Sequence, residues 1–335
     1  MNSALQTQFG RIAQANFAPT YWLKNPHLQT ILPKYFLPTP TVKYVNERVI
    51  TPDNDFVDLA WAMPPKNSKI RGIVILFHGL EGSSESHYIK HLVEVLLAEN
   101  IGSVVMHFRG CSGEPNLTLK GYHSGATFDP EFIVPLVKRR YSSLPLFAVG
   151  FSLGGNMLMK LMANRSDLPI EASVCVSAPL NLAASSASIS QGFSAVYQRH
   201  LMKSMKKNLL AKMALVDMSH TLKVSPREIS ELQTFLEFDD HITSVLHGFE
   251  NAGDYYHKCS ALLDLPSINK PTLIIHAQDD PFMDKRVIPS PNLINKHVAY
   301  ELSQHGGHVG YLNALSGNQT LWLPERITRF LIEIL

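Results

Sequence analysis

The sequence predicts an α/β protein: a mostly parallel central sheet flanked by helices, with a helical segment inserted late in the chain. Three observations predict it. Short aliphatic runs such as Gly72–Phe77 (G-I-V-I-L-F) are continuous rather than alternating, as in strands buried on both faces. Between them lie stretches with apolar residues at helical spacing, such as Ser86–Asn100 with Tyr88, Leu92, Val95 and Leu96. Strands alternating with helices are the pattern of a parallel sheet covered on both faces. The third observation is compositional: 335 residues, 45% hydrophobic and 17% charged, can bury a substantial core and are far from a disordered chain.

Residues 1–41 read as an irregular N-terminal segment packing on the core, because Pro26, Pro33, Pro38 and Pro40 are too closely spaced for a long helix. Two β-rich runs follow, Val42–Thr51 and Phe56–Met63. The intervening Pro52-Asp53-Asn54-Asp55 favours a turn, so a hairpin is expected. The core then continues through strands at Gly72–Phe77, Ser103–Phe108, Leu146–Phe151 and Ala172–Val176, with helices at Ser86–Asn100, Phe128–Arg140 and Gly155–Ala163. It resumes with strands at Thr272–Ala277 and His297–Leu302 and closes with a helix over Leu323–Leu335. From Pro179 to Leu265 no buried-strand run occurs. Met-, Lys- and Ser-rich helical segments such as Val196–Leu215 stand there with Phe235, Phe238, Tyr255 and Tyr256. That length is too great for a structureless loop. The expected division is therefore a core of residues 42–178 and 266–335 and a helical cap of residues 179–265.

Charge and cysteine content exclude several classes. With 30 Lys plus Arg against 28 Asp plus Glu, there is no broad basic field for nucleic acid. Cys111, Cys175 and Cys259 are odd in number and far apart, which gives neither a disulfide framework nor a zinc-finger spacing. The N-terminal stretch has no apolar run of about 7–15 residues that would mark a signal peptide. No apolar stretch approaches the roughly 18 residues needed to span a bilayer. A cytoplasmic protein is the expectation, with its oligomeric state left open.

The strand Leu146–Val149 runs into Gly150-Phe151-Ser152-Leu153-Gly154-Gly155, a G-x-S-x-G between a strand and a helix. A serine on so sharp a turn exposes its Oγ. The flanking positions must be glycine because side chains there would collide. The following helix aims its free N–H groups and positive end at the site. Ser152 is the candidate nucleophile, and a glycine-rich strand–helix turn is the bland alternative. Further on come Asp279-Asp280-Pro281 after the penultimate strand and His305-Gly306-Gly307-His308 after the last. Ser, then Asp, then His is the chain order of α/β-hydrolases. Counting three residues beyond the strand-ending Ala277 gives Asp280 as the acid, with Asp279 the alternative. His308, after two glycines that let the loop fold back, is the candidate base, with His305 the alternative. The acid would hold the imidazole tautomer and stabilise its cation.

The first buried strand ends in His78-Gly79-Leu80-Glu81-Gly82-Ser83. A loop at this strand end can turn a backbone N–H toward the serine, so Leu80 and Leu153 are the expected oxyanion donors. His78 is read as a support for that loop, and Glu81 as a structural or solvent-facing carboxylate rather than a second acid. Arg109, in Met106-His107-Phe108-Arg109-Gly110-Cys111, either orients a substrate or braces its loop through an ion pair.

Taken together, Asn25–Thr30 (N-P-H-L-Q-T), His78–Ser83 (H-G-L-E-G-S), Met106–Asn116 (M-H-F-R-G-C-S-G-E-P-N), Gly150–Asn156 (G-F-S-L-G-G-N), Asp279–Phe282 (D-D-P-F) and His305–Gly310 (H-G-G-H-V-G) resemble the YheT-like group of α/β-hydrolase-fold proteins. The resemblance spans nearly the whole chain. It implies an α/β-hydrolase fold with a helical cap, a Ser-Asp-His triad and hydrolysis of carboxylic esters without a cofactor. Lipid-acting relatives in the group imply an acyl-chain substrate.

Other constellations carry less. His87 and His91 share a helix face, but no H-E-x-x-H and no third ligand accompany them, so no metal is expected. Lys203, Lys206 and Lys207 form a short basic run in the cap, read as a solvated face rather than a lipid-headgroup contact. The resulting expectation is a serine esterase acting on short- to medium-chain or lipid-like acyl esters through an acyl-enzyme. An acyltransferase sharing that intermediate and a noncatalytic acyl-binding module are the alternatives.

Overall fold

The computed structural model describes residues 9–314 and 321–335. The first eight residues of the N-terminal segment and residues 315–320 of the core lie outside the described residues. The described strands form a single sheet: β1 (Arg11–Gln14), β2 (Val45–Ile50), β3 (Phe56–Ala62), β4 (Gly72–Phe77), β5 (Ile101–Met106), β6 (Leu146–Phe151), β7 (Ala172–Val176), β8 (Thr272–Ala277) and β9 (Val298–Ser303). Their order is β1-β9-β8-β7-β6-β4-β5-β3-β2. Only the β2–β3 hairpin and the β3–β5 pairing are antiparallel; the other neighbours run parallel. The hairpin closes with Ile50 opposite Phe56, around the Pro52–Asp55 turn.

Helices α1 (Pro26–Tyr35), α2 (His87–Ala98), α3 (Phe128–Arg140) and α4 (Leu153–Asn164) precede β7 or flank the strands before it. Every residue of β4, β5, β6, β7 and β8 is buried. That is why these strands read as continuous apolar runs. Alternate residues feed two cores. Ile73, Ile75 and Phe77 pack with Ile133, Val137 and Met157 of α3 and α4. Val74 and Leu76 pack with Ile89, Leu92 and Leu96 of α2. Between β7 and β8 the chain forms α5 (Leu182–Ile189), α6 (Ser194–Met213), α7 (Pro226–Glu231), α8 (Phe235–Phe238), α9 (Ser244–His247) and α10 (Ala252–Cys259). This insertion has a small core of its own, with Met202, Leu209, Ile229, Phe238 and Ile242. A last helix, α11 (Trp322–Ile334), covers the α2 face through Ile327, Phe330 and Leu331. No described helix is long and apolar enough to cross a membrane.

The N-terminal stretch is more ordered than its prolines suggest. Residues 11–14 add β1 to the sheet edge, parallel to β9, with Ile12 opposite Tyr300. Residues 26–35 form α1 with Pro33 inside it. Pro26 occupies the first turn, where a missing N–H costs nothing. Asn25 caps the helix by accepting from the His27 and Leu28 N–H groups. Pro33 forfeits one helical bond, and tertiary contacts offset it. The Gln29 amide is fully buried, donating to the Leu23 and Leu312 carbonyls and accepting from the Leu312 N–H. Several boundaries also shift by a few residues. β5 runs over Ile101–Met106 rather than residues 103–108, and Gly102 fits where a Cβ would lie 2.9 Å from the Ile73 side chain. α4 begins directly after Ser152 rather than at Gly155.

Behind the sheet edge, the Arg109 guanidinium is held by Asp53, Asp55 and Asp129 at 2.7–3.2 Å, with its side chain only 2% exposed. Burial opposes the charge on Asp55, but bonds from Asn116, Thr118 and two backbone amides outweigh it and hold the carboxyl well below its usual range. Depressed in this way, Asp55 contributes stability that is fully present above its unfolded value of about 3.9 and lost as pH falls below it. Replacing Arg109 leaves buried carboxylates unpaired. Arg109→Met is expected to lose about 3–5 kcal/mol at neutral pH, read from urea denaturation.

Candidate active site

The parallel strands end at one edge of the sheet, where ligands bind in such architectures. The loops after β4, β6, β8 and β9 meet there. Ser152 stands between β6 and α4 at φ 51°, ψ −121°, in the left-handed range that non-glycine residues rarely adopt. Its neighbours show why this sequence turns here. A Cβ on Gly150 would lie 2.4 Å from the Gly154 carbonyl oxygen, and one on Gly154 would lie 2.5 Å from that of His78. The Ser152 N–H donates to the Val176 carbonyl at 2.8 Å, which fixes the turn to β7.

His308 brings its Nε2 to 3.0 Å from Ser152 Oγ. Its Nδ1 lies 2.9 Å from Asp280 Oδ2 and 3.2 Å from Oδ1. A carboxylate only accepts, so Nδ1 carries the proton and Nε2 is left to accept from the serine hydroxyl. The two competing pairs separate cleanly. Asp279 faces away, accepting from the Gly307 N–H at 3.0 Å and lying 3.2 Å from His305 Nδ1. That pair holds the loop, and Asp280 and His308 face the serine. Burial raises the Asp279 carboxyl above its usual value despite these bonds.

Leu80 and Leu153 lie beside the serine, lining the same cavity. Leu153 opens α4, so its N–H has no acceptor within the helix. Gly79 lies so near that a Cβ on it would sit 3.2 Å from the Ser152 Cβ. Among the described residues, neither the Leu80 nor the Leu153 N–H donates to a protein acceptor. His78 braces this loop. Burial lowers it to about 3, so it is neutral. Its Nε2 accepts from the Phe108 N–H at 3.1 Å, so Nδ1 donates to the Gly79 carbonyl at 2.7 Å.

Several supporting residues escaped the sequence reading. Thr30 Oγ1 accepts from the His308 N–H at 2.9 Å and donates to the Pro26 carbonyl. The Phe282 ring stacks on the His308 imidazole at 3.9 Å and 8°. Tyr88 OH accepts from the Gly79 N–H at 2.9 Å. Thr30 and Phe282 lie within N-P-H-L-Q-T and D-D-P-F, so the signal was present but carried no role. Arg109 does not reach the serine; its donors are engaged by carboxylates and Thr118. Lys206 caps carbonyls of Ser230 and Leu232 inside the insertion, and Lys203 and Lys207 are exposed. His87 and His91 are lowered by burial, and no group of three or more metal-ligating side chains occurs among the described residues.

A cavity of about 840 Å³ lies over Ser152 and His308, roofed by Leu201, Met205, Phe235, Phe238, Ile242 and Leu246 of the insertion. Its volume is that of a site for a drug-sized ligand, and burial keeps its His247 neutral, at about 4. The separated pairs predict a clear contrast. Asp280→Asn is expected to lower kcat by about 10⁴-fold by releasing the His308 tautomer. Asp279→Asn is expected to leave kcat within about tenfold of wild type, because its partners hold only the loop. Steady-state kinetics of the two variants check this.

The alpha/beta hydrolase fold family model matches residues 72–315. The Escherichia coli protein YheT is 44% identical over 320 residues, covering 95% of this chain and 94% of its own. The human phospholipase ABHD3 is 29% identical over 333 residues, covering 95% of this chain and 79% of its own. Among solved structures, the Pyrococcus furiosus esterase Pf2001 matches with a TM-score of 0.56 at 16% identity, over 97% of this chain and 98% of that one. With the sheet order, the helices on both faces and these matches in agreement, the chain belongs to the α/β-hydrolase fold family and, within it, to the group of YheT.

Proposed function

We propose that the protein hydrolyses carboxylic esters of short- to medium-chain or lipid-like acyl groups, with Ser152 as nucleophile, His308 as general base and acid, and Asp280 as the residue that orients the imidazole. One observation carries this reading: the contacts Asp280 Oδ2 to His308 Nδ1 at 2.9 Å and His308 Nε2 to Ser152 Oγ at 3.0 Å. Relatives named esterase and phospholipase support the same reading.

The reaction follows from the geometry. As Ser152 Oγ attacks the ester carbonyl carbon, its proton passes to His308 Nε2. Negative charge develops on the former carbonyl oxygen, where the Leu80 and Leu153 N–H groups stabilise it; one such donor is worth about 3–4 kcal/mol. The C–O bond to the alcohol breaks as His308 returns the proton to the leaving oxygen. Water then attacks the acyl-enzyme with His308 again taking its proton, and the acid leaves as Ser152 recovers its hydroxyl. These steps use no metal or cofactor.

The roof side chains from Leu201 to Leu246 are apolar and line the cavity with the candidate nucleophile, which suits an acyl chain. We read residues 179–265 as a cap that sets how much of that chain is buried. A panel of p-nitrophenyl esters graded by acyl length tests the reading. Turnover is expected to peak at short or medium chains and to fall by about 10⁶-fold in Ser152→Ala. Undiminished hydrolysis by that variant would exclude Ser152 as the nucleophile. Product analysis with an added alcohol separates free acid, the expected product, from a transferred ester.

A further inference from the structure

Glu81 follows Leu80 in the loop after β4, and it is bonded from two sides. On the core side its Oε1 accepts from Tyr122 OH at 2.8 Å, and its own N–H donates to the same phenol oxygen at 3.0 Å. On the insertion side its Oε2 accepts from Ser204 Oγ at 2.7 Å and from Asn208 Nδ2 at 2.6 Å. Ser204 and Asn208 belong to α6, and Lys212 continues their spacing of four, so the three share one face of that helix. Lys212 Nζ donates to the Leu119 and Lys120 carbonyls, three and two residues before Tyr122. The polar stripe of α6 is thus docked on two core loops, and one of them carries the Leu80 N–H.

The backbone adds a reason why the loop needs holding. The Gly82 N–H donates to the Gly79 carbonyl at 3.0 Å, so Leu80 and Glu81 are the corner residues of a turn. Glu81 sits at φ 56°, a conformation that glycine or asparagine adopts far more readily. A relaxed turn would let this residue return to ordinary φ and rotate the peptide beside it. Burial and the neighbouring Glu81 carboxylate push the Tyr122 phenol well up, so it remains a donor.

We propose that Glu81 is a positioning residue that ties the cap helix α6 to the oxyanion loop, so that the Leu80 N–H is aimed at the reacting oxygen only while α6 is docked. The inference rests on the proposed serine mechanism. It makes cap docking and oxyanion readiness a single event: an acyl ester admitted under a raised cap reacts once Ser204 and Asn208 return to the carboxylate.

The test is steady-state kinetics of the full-length chain on the ester that the wild type turns over fastest, at a temperature where circular dichroism shows each variant folded. Glu81→Ala is expected to lower kcat about 10- to 100-fold, short of the 10²- to 10³-fold loss of a whole oxyanion donor, with KM within about threefold of wild type. The double variant Ser204→Ala/Asn208→Ala leaves the core side of the link intact and is expected to lower kcat in the same direction by about fivefold or more. Glu81→Gln, which keeps an acceptor oxygen in place, is expected to recover most of the activity. Wild-type kcat in either Glu81→Ala or the double variant, or a change confined to KM, would overturn the proposal; in the last case the stripe only shapes the cavity. Ser152→Ala, run alongside, separates the two readings. If it is inactive while Glu81→Ala is unimpaired, only the positioning role falls. If it remains active, the mechanism and the positioning role fall together.

Discussion

A serine held at φ 51° costs about 1–3 kcal/mol of backbone strain, and much of the site exists because this chain accepts that cost between β6 and α4. The turn changes direction within one residue, and only glycine at positions 150 and 154 leaves room for it. The same tightness presses the start of α4 against the end of β4. Ser152, the unsatisfied N–H of Leu153 and the Gly79–Leu80 loop are thereby crowded into one corner. The hydrogen bond from the Ser152 N–H to the Val176 carbonyl transmits the constraint to β7. Strain at Ser152 and the crowding of groups around it are therefore one structural fact.

The histidine stands on a strained loop too, with Gly307 at φ 56° and Val309 at φ 59°. Contacts from three separate parts of the chain hold it there. Asp280 orients the ring, Phe282 stacks on it, Thr30 receives its backbone N–H, and Ser177 receives that of Val309. Thr30 lies on the N-terminal helix, so the segment before the hairpin helps to build the candidate site rather than merely packing beside it. The insertion closes the opposite side and supplies the apolar roof. A site assembled in this way needs the sheet to bring its loops to one edge, and the two buried cores make that sheet rigid.

The strands of the sheet centre were legible in the sequence because burial on both faces leaves an unbroken apolar run, as Gly72–Phe77 and Leu146–Phe151 show. The edge strand Arg11–Gln14 was not. Its four residues are short, partly exposed and mixed in polarity, and only pairing with β9 defines it. Helix α1 was hidden by Pro33, whose cost is met by long-range contacts of Gln29 that no local pattern reveals. At the site, spacing from Ala277 pointed to Asp280, and the structure pairs that residue with His308 while Asp279 turns to His305. Glu81 was visible as a residue but not in its connections, since Ser204 and Asn208 lie more than a hundred residues away. Their spacing of four on a long helix was the available signal, and it acquires meaning only once the helix is seen against the loop after β4.

The proposed chemistry turns on the activation of Ser152 by His308 in the folded protein. Labelling with a fluorophosphonate, followed by mass-spectrometric identification of the modified peptide, decides it. A single adduct on Ser152 that disappears in His308→Ala is expected. A folded protein that resists labelling, or an adduct on Ser152 that forms equally fast in His308→Ala, would contradict it.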